Sequence, residues 1–173
     1  MHKHLIAALA AMALSAPAAL AAGPAPTDPQ IAHIAYTAGV IDIEAAKQAI
    51  AKSKNKQVLE FAHQMVADHE AVNTKALALV KKLKVAPEDN ATSKRLAKAA
   101  ADERAKLAKL GGAAFDKAYV DNEVAYHKQV NGALETVLIP SAKNDQLKGL
   151  LQTGLKLFEG HQQHAEHLAS ALH

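Results

Sequence analysis

A chain of 173 residues with a formal charge of +3 and no cysteine excludes disulfides, thiolate zinc or iron–sulfur sites and a lipid anchor on cysteine. Half of its residues are hydrophobic with alanine foremost, yet only 3 % are aromatic, which suits close-packed helices better than sheets. Lysines interleave with acids and few rings exist to stack on bases, so nucleic acid is not an expected partner.

The N-terminus reads as an export signal. Lys3 precedes the apolar run "LIAALAAMAL", and "SAPAALAA" supplies small residues for cleavage. Ala19-Leu20-Ala21 fits the small-x-small rule, so residues 1–21 form the signal and about 150 residues remain, one domain's worth. The run is too short to persist as a membrane-spanning helix, and no second one follows. The expected location is the periplasm or the exterior, with association with the outer membrane left open. Residues 22–30 form a Pro-rich linker, and 31–173 form a helical bundle domain.

Helix A is expected over about Asp28–Lys52, with the stripe Ile31, Ala35, Ala38, Asp42, Ala45, Ala49. A second stripe through Ile34, Ile41 and Gln48 places Glu44 at its edge. "SKNK" breaks the helix, and helix B runs over about Asn55–Lys84. Val58, Ala62, Met65, His69, Val72, Ala76, Leu79 and Leu83 alternate steps of four and three, a bundle-core seam whose one polar member is His69. The loop "VAPEDNATS" follows. Thr92 or Ser93 can cap a shorter helix, "SKRLAKAAADERAKLAKL", which stops at Gly111-Gly112. Helix C spans about Ala113–Ile139 and reads Asp116, Val120, Glu123, His127, Val130, Leu134, Val137. Pro140 and "SAKND" turn the chain. Helix D, from Asp145 to the end, reads Leu147, Leu151, Gly154, Phe158, His161, Ala165, Leu168, Leu172.

Every long helix therefore carries a potential ligand in its apolar seam, which is how helical bundles build metal sites. The long B–C connection lets B and C run parallel, with A and D antiparallel to them, a ferritin-like four-helix bundle with one crossover carrying an extra short helix. Counted from the A/B turn and the start of C, His69 and His127 lie about 14 residues up, Asp42 about 11, Glu123 about 10, and Glu44 and His161 about 9. At 1.5 Å per residue these six share a slab roughly 8 Å thick, and Asp116 falls about 10 Å below it.

An unpaired carboxylate or imidazole in an apolar bundle is costly to desolvate, and a divalent cation removes that cost for several groups at once. Asp42, His69, Glu123, His127 and His161 are the expected metal ligands, with Glu44 in reserve and Tyr119 or Tyr126 behind them. Three imidazoles with carboxylates suit iron, manganese, zinc or copper. No reaction is specified; an open coordination position would permit redox or peroxide chemistry. Two alternatives stand beside this reading. One is a structural or stress-related envelope protein whose buried polar groups pair with each other. The other is metal buffering by His161, His164 and His167, spaced three apart near the C-terminus. Glu60-x-x-His63 is the one Glu-x-x-His in the chain, but Glu60 points away from the seam and reads as solvated.

The segments "KSKNKQVLEFAHQMVADHEAVN", "GGAAFDKAYVDNEVAYHKQV" and "LIPSAKNDQLKGLL" resemble a secreted bacterial family catalogued as domain of unknown function four-one-four-two. The resemblance covers about Ile31–Leu168. It is most specific at "MVADH", with His69, and at "FDKAYVDNEVAYH", with Glu123 and His127; "HQQH", with His161, is looser. It implies a ferritin-like helical bundle and export to the periplasm or outer membrane. It implies no reaction. The Glu-x-x-x-His pair of helix C also departs from the paired Glu-x-x-His motifs of di-iron ferritins.

Overall fold

Local capping decides where each helix begins. The computed structural model describes residues 24–172, and the expected export signal, residues 1–21, lies outside them. Pro29 sits in the first turn of α1 (Asp28–Lys52), where its missing N–H leaves no gap, and the Gln30 side chain accepts from the Thr27 N–H at 3.2 Å. Asn55 caps α2 (Lys56–Leu83) by accepting from the Gln57 and Val58 N–H groups. The cap of α3 (Ala91–Leu107) is Asn90, not the expected Thr92 or Ser93. Its side chain accepts from both of those N–H groups, while Ser93 Oγ accepts from the Asn90 N–H. Ser93 is thus the partner of a reciprocal cap, three residues inside. Gly112, with φ +55°, opens α4 (Gly112–Ala133) in a conformation that other residues rarely adopt.

Helix C is not one uninterrupted α-helix. After α4 the chain widens into a π-helical turn, Leu134–Leu138, in which the Ile139 N–H reaches back to the Leu134 carbonyl. The short α5 (Ile139–Ser141) follows. Pro140 explains the widening: it has no N–H to donate, and its ring opposes the carbonyl four residues before it. Asn144 then caps α6 (Asp145–Ala171). The Asp28 carboxylate accepts from the Lys143 and Asn144 N–H groups at 2.8 and 2.9 Å, tying this turn to the start of α1.

The contacts fix the direction of each helix. Lys47 meets Glu70, so α1 and α2 are antiparallel. Lys52 lies over the Phe115 ring and Tyr126 donates to the Ala38 carbonyl, so α4 is antiparallel to α1. His164 meets Gln64 and Lys82 meets Gln146, so α6 is antiparallel to α2. Hence α2 and α4 are parallel, as the long crossover requires. α3 descends along the outside of α1: Asn90 donates to the Gln30 carbonyl, Gln48 to that of Arg104, and Lys52 to that of Ala108. This second cover explains why α1 has two apolar stripes and buries residues around most of its circumference.

The described regular structure is all helical, and its core falls into two blocks. One is built around Val58, Phe61, Met65, Phe115, Tyr119 and Leu168. The other is built around Ile31, Ile34, Leu134, Leu138, Leu151 and Phe158. Between these blocks each long helix of the bundle carries a buried polar residue: Asp42, His69, Glu123 with His127, and His161. Truncating one such large core side chain to alanine costs about 2–5 kcal/mol, so both blocks clamp the layer between them.

Candidate metal centre

One polar residue per helix would be easy to satisfy; here five meet. Asp42 comes from α1, His69 from α2, Glu123 and His127 from α4, and His161 from α6, each at most 3 % exposed. The i, i+4 spacing of Glu123 and His127 stacks them on the inward face of α4. Ligand atoms of His69, His127 and His161 all lie within 4.8 Å of one another, as do those of Asp42, Glu123 and His127. His127 belongs to both groups and joins them.

For two of the three rings a hydrogen bond decides which nitrogen is free. His127 Nδ1 donates to the Glu123 carbonyl at 3.0 Å, which leaves the Nε2 lone pair facing Asp42 Oδ2 at 3.5 Å. His161 Nε2 donates to Asp68 Oδ2 at 2.8 Å, which leaves the Nδ1 lone pair. His69 Nε2 lies 3.4 Å from the same Asp42 oxygen. Both oxygens of Asp42 and of Glu123, both nitrogens of His69, His127 Nε2 and His161 Nδ1 are buried without a hydrogen-bond partner. Lone pairs therefore point at lone pairs across a water-excluded space, an arrangement that a proton or a cation must hold together.

Burial shifts every group toward its neutral form. It raises the Asp42 carboxyl to about 7. It raises Glu123 well above the carboxylate range, with the Asp42 charge adding to the effect. It depresses His69 to about 2, aided by the neighbouring His161 and His127. It depresses His127 to about 4, against the pull of the Glu123 carbonyl. His161 is lowered too, again by burial, although Asp68 opposes the shift. Neutral imidazoles are the ligand form of histidine, and three of them are held so.

Phe158 roofs the cluster: its ring stacks on His69 at 4.7 Å and 9° and stands edge-on to His127. Tyr126 lies edge-on to His127, with its hydroxyl committed to Ala38. Tyr119 is fully buried one turn before Glu123, and its hydroxyl has no partner. Both phenols are raised well above their ordinary range, first by burial and then by the charges of Asp42 and Glu123.

Glu44 is not brought into this cluster. Two residues beyond Asp42 on a helix is some 200° of rotation, so its carboxylate faces outward, half exposed, against Arg104 at 3.4 Å. The C-terminal histidines do not converge either. Steps of three walk around the helix, so His161 turns inward, His164 bonds Gln64 and packs on Phe61, and His167 faces solvent. Glu60 and His63 are exposed, as their phase implies. Asp68 is the residue the periodicity could not reveal. It sits beside the seam and acts across the α2–α6 edge, so only the contact with His161 shows its role.

A family model described as Domain of unknown function (DUF4142) matches residues 13–168, and the chain belongs to that family. No curated protein and no solved structure matches it.

Proposed function

We propose that this family member holds a divalent transition metal ion between α1, α2, α4 and α6, with His69, His127, His161, Asp42 and Glu123 as ligands. The observation that carries the reading is the convergence of unpartnered lone pairs on Asp42 Oδ2. Its separations of 3.4 and 3.5 Å from the Nε2 atoms of His69 and His127 match the spacing of ligands around one ion. Two donors about 2.1 Å from a tetrahedral centre lie about 3.4 Å apart. His161 Nδ1 supplies a further donor, and Glu123 a second negative charge, so two carboxylates balance one divalent ion. Asp68 and the Glu123 carbonyl orient His161 and His127 from behind, as partners of metal-bound imidazoles do. The donor set is nitrogen and oxygen without sulfur, which suits iron, manganese, zinc or copper. A bound ion of this kind supplies Lewis acidity or, for iron, manganese and copper, one-electron chemistry.

The setting we propose is the cell envelope, reached through the N-terminal signal, and the basis for it is the Lys3-led apolar run with its small-residue end. The test is metal content. Untagged protein purified without chelator is expected to carry metal in near-stoichiometric amount, and His69→Ala to lose it. A second reading, in which the same groups share protons and bind no metal, is favoured by one observation. Burial lifts Asp42 to about 7, where a protonated carboxyl can donate to a neighbouring imidazole. On that reading the purified protein is metal-free and its melting temperature ignores chelators.

A further inference from the structure

Phe158 has a second neighbour besides the imidazoles. Its ring is also a wall of a half-open cavity of about 1400 Å³ that runs between α1, α3 and α4, reaches α2 and α6, and has exposed residues such as Arg95, Lys128 and Gln129 at its rim. Such a space exceeds the roughly 300–1,000 Å³ of ordinary small-ligand sites. Its α1 wall runs from Gln30 to Ala45, about 22 Å at 1.5 Å per residue. The walls are mostly aliphatic, and Ala38, Ala76, Ala100 and Ala133 keep them apart where larger side chains would close the space.

One wall residue is polar and deep. Asn73 is 7 % exposed, forms no hydrogen bond with another described residue, and is not among the sealed polar atoms, so its amide stays open to the cavity it lines. Its amide is seated against Gly39, where a Cβ would overlap it. It lies one helical turn beyond His69, so the amide and the imidazole cluster are neighbours along α2. An amide without a protein partner on an aliphatic wall favours a guest with an oxygen at that depth. Burying an anion there would cost far more than burying a neutral group, so the oxygen belongs to a hydroxyl or a carbonyl.

We propose that this cavity binds a neutral long-chain molecule with a terminal hydroxyl or carbonyl, the oxygen hydrogen-bonded to Asn73 and the chain lying between the helices. The inference stands on the cavity and does not need the metal. If the metal reading also holds, the oxygen end of the guest is presented beside the ion.

The experiment uses the full chain after chelator treatment, with the neutral dye N-phenyl-1-naphthylamine as reporter and 1-dodecanol, dodecanoate and dodecane as competitors. Dodecanol is expected to displace the dye saturably, about three- to tenfold more tightly than dodecane. Asn73→Leu is expected to abolish that preference while keeping dodecane binding. Filling the space with Ala133→Phe, or with Ala76→Phe if the first variant fails to fold, is expected to weaken all competitors at least tenfold. The proposal is overturned by absence of saturable displacement, by filled variants that bind as the wild type does, by equal affinity for dodecanol and dodecane, or by tighter binding of dodecanoate. Metal content and metal uptake are separate readouts, so protein that binds dodecanol yet carries no metal and takes up none would sink the metal reading alone.

Discussion

The two nitrogens of His127 meet different groups: Nδ1 a backbone carbonyl, Nε2 the Asp42 carboxylate and the other imidazoles. Its tautomer is thus set by its own helix, whatever binds in front of it. His161 is set from outside, by Asp68, whose side chain is one-third exposed. Asp68→Asn should therefore leave the fold intact while weakening metal about 10- to 100-fold, measured by competition with a chromophoric chelator. The pH dependence gives a second prediction. In the metal-free protein burial raises Asp42 from 3.8 to about 7, so its folded-state advantage is full below pH 4 and is lost as pH climbs through 7. His69 and His127 are depressed, so their contribution is present above pH 6.5 and lost as pH falls toward 4. The two trends oppose each other between pH 4 and 6.5. Between pH 6.5 and about 7 only the carboxylate trend remains, and metal-free protein should lose stability there, an effect reduced in Asp42→Asn, where the raised Glu123 still contributes. Metal-loaded protein should show the reverse, because binding displaces protons. Denaturant titrations at pH 6 and 8, with and without metal, check the sign.

At the scale of elements, α1 and α2 pack closely where Gly39 admits the Asn73 side chain. Gly39→Ala should lower stability by about 1–3 kcal/mol, and adding Asn73→Ala should recover most of it, as thermal melts of the two variants would show. Tyr126→Phe should cost about 1 kcal/mol by removing the bond from α4 to the Ala38 carbonyl. The seam of α6 was legible residue by residue, because its apolar positions repeat at a single phase. That of α2 held at Val58, Ala62, Met65 and His69 but missed Phe61. It then gave way to Asn73 and Val80, with Val72, Ala76, Leu79 and Leu83 half-buried. α1 was harder to read: covered by α3 on one side and by the bundle on the other, it shows two stripes, and Glu44 at the edge of one of them faces solvent. The cap of α3 and the π turn before Pro140 were not legible, since both depend on competition among neighbouring donors that periodicity does not record.

At the scale of the molecule, the length of the crossover was enough to imply the directions of the helices. Given those directions, counting residues from the turns placed six polar side chains at one depth, and the structure brings five of them together between two apolar blocks, leaving Glu44 outside. What the count could not supply was rotation about each axis, and that separates Asp42 from Glu44 and His161 from His164 and His167. A layer of unpartnered lone pairs between two packed cores should make the whole bundle respond to an ion. At a hundredfold excess over its dissociation constant, a ligand of the native state adds about 2.7 kcal/mol. For a domain of this size that corresponds to a rise of about 5–10 °C in melting temperature. The most direct measurement is the metal content of untagged protein by elemental mass spectrometry, beside that of His127→Ala. The account predicts close to one transition-metal ion per chain in the wild type and none in the variant, with helical content unchanged. Wild-type protein that is metal-free, takes up none of iron, manganese, zinc or copper when they are supplied, and melts at the same temperature with and without them would contradict it.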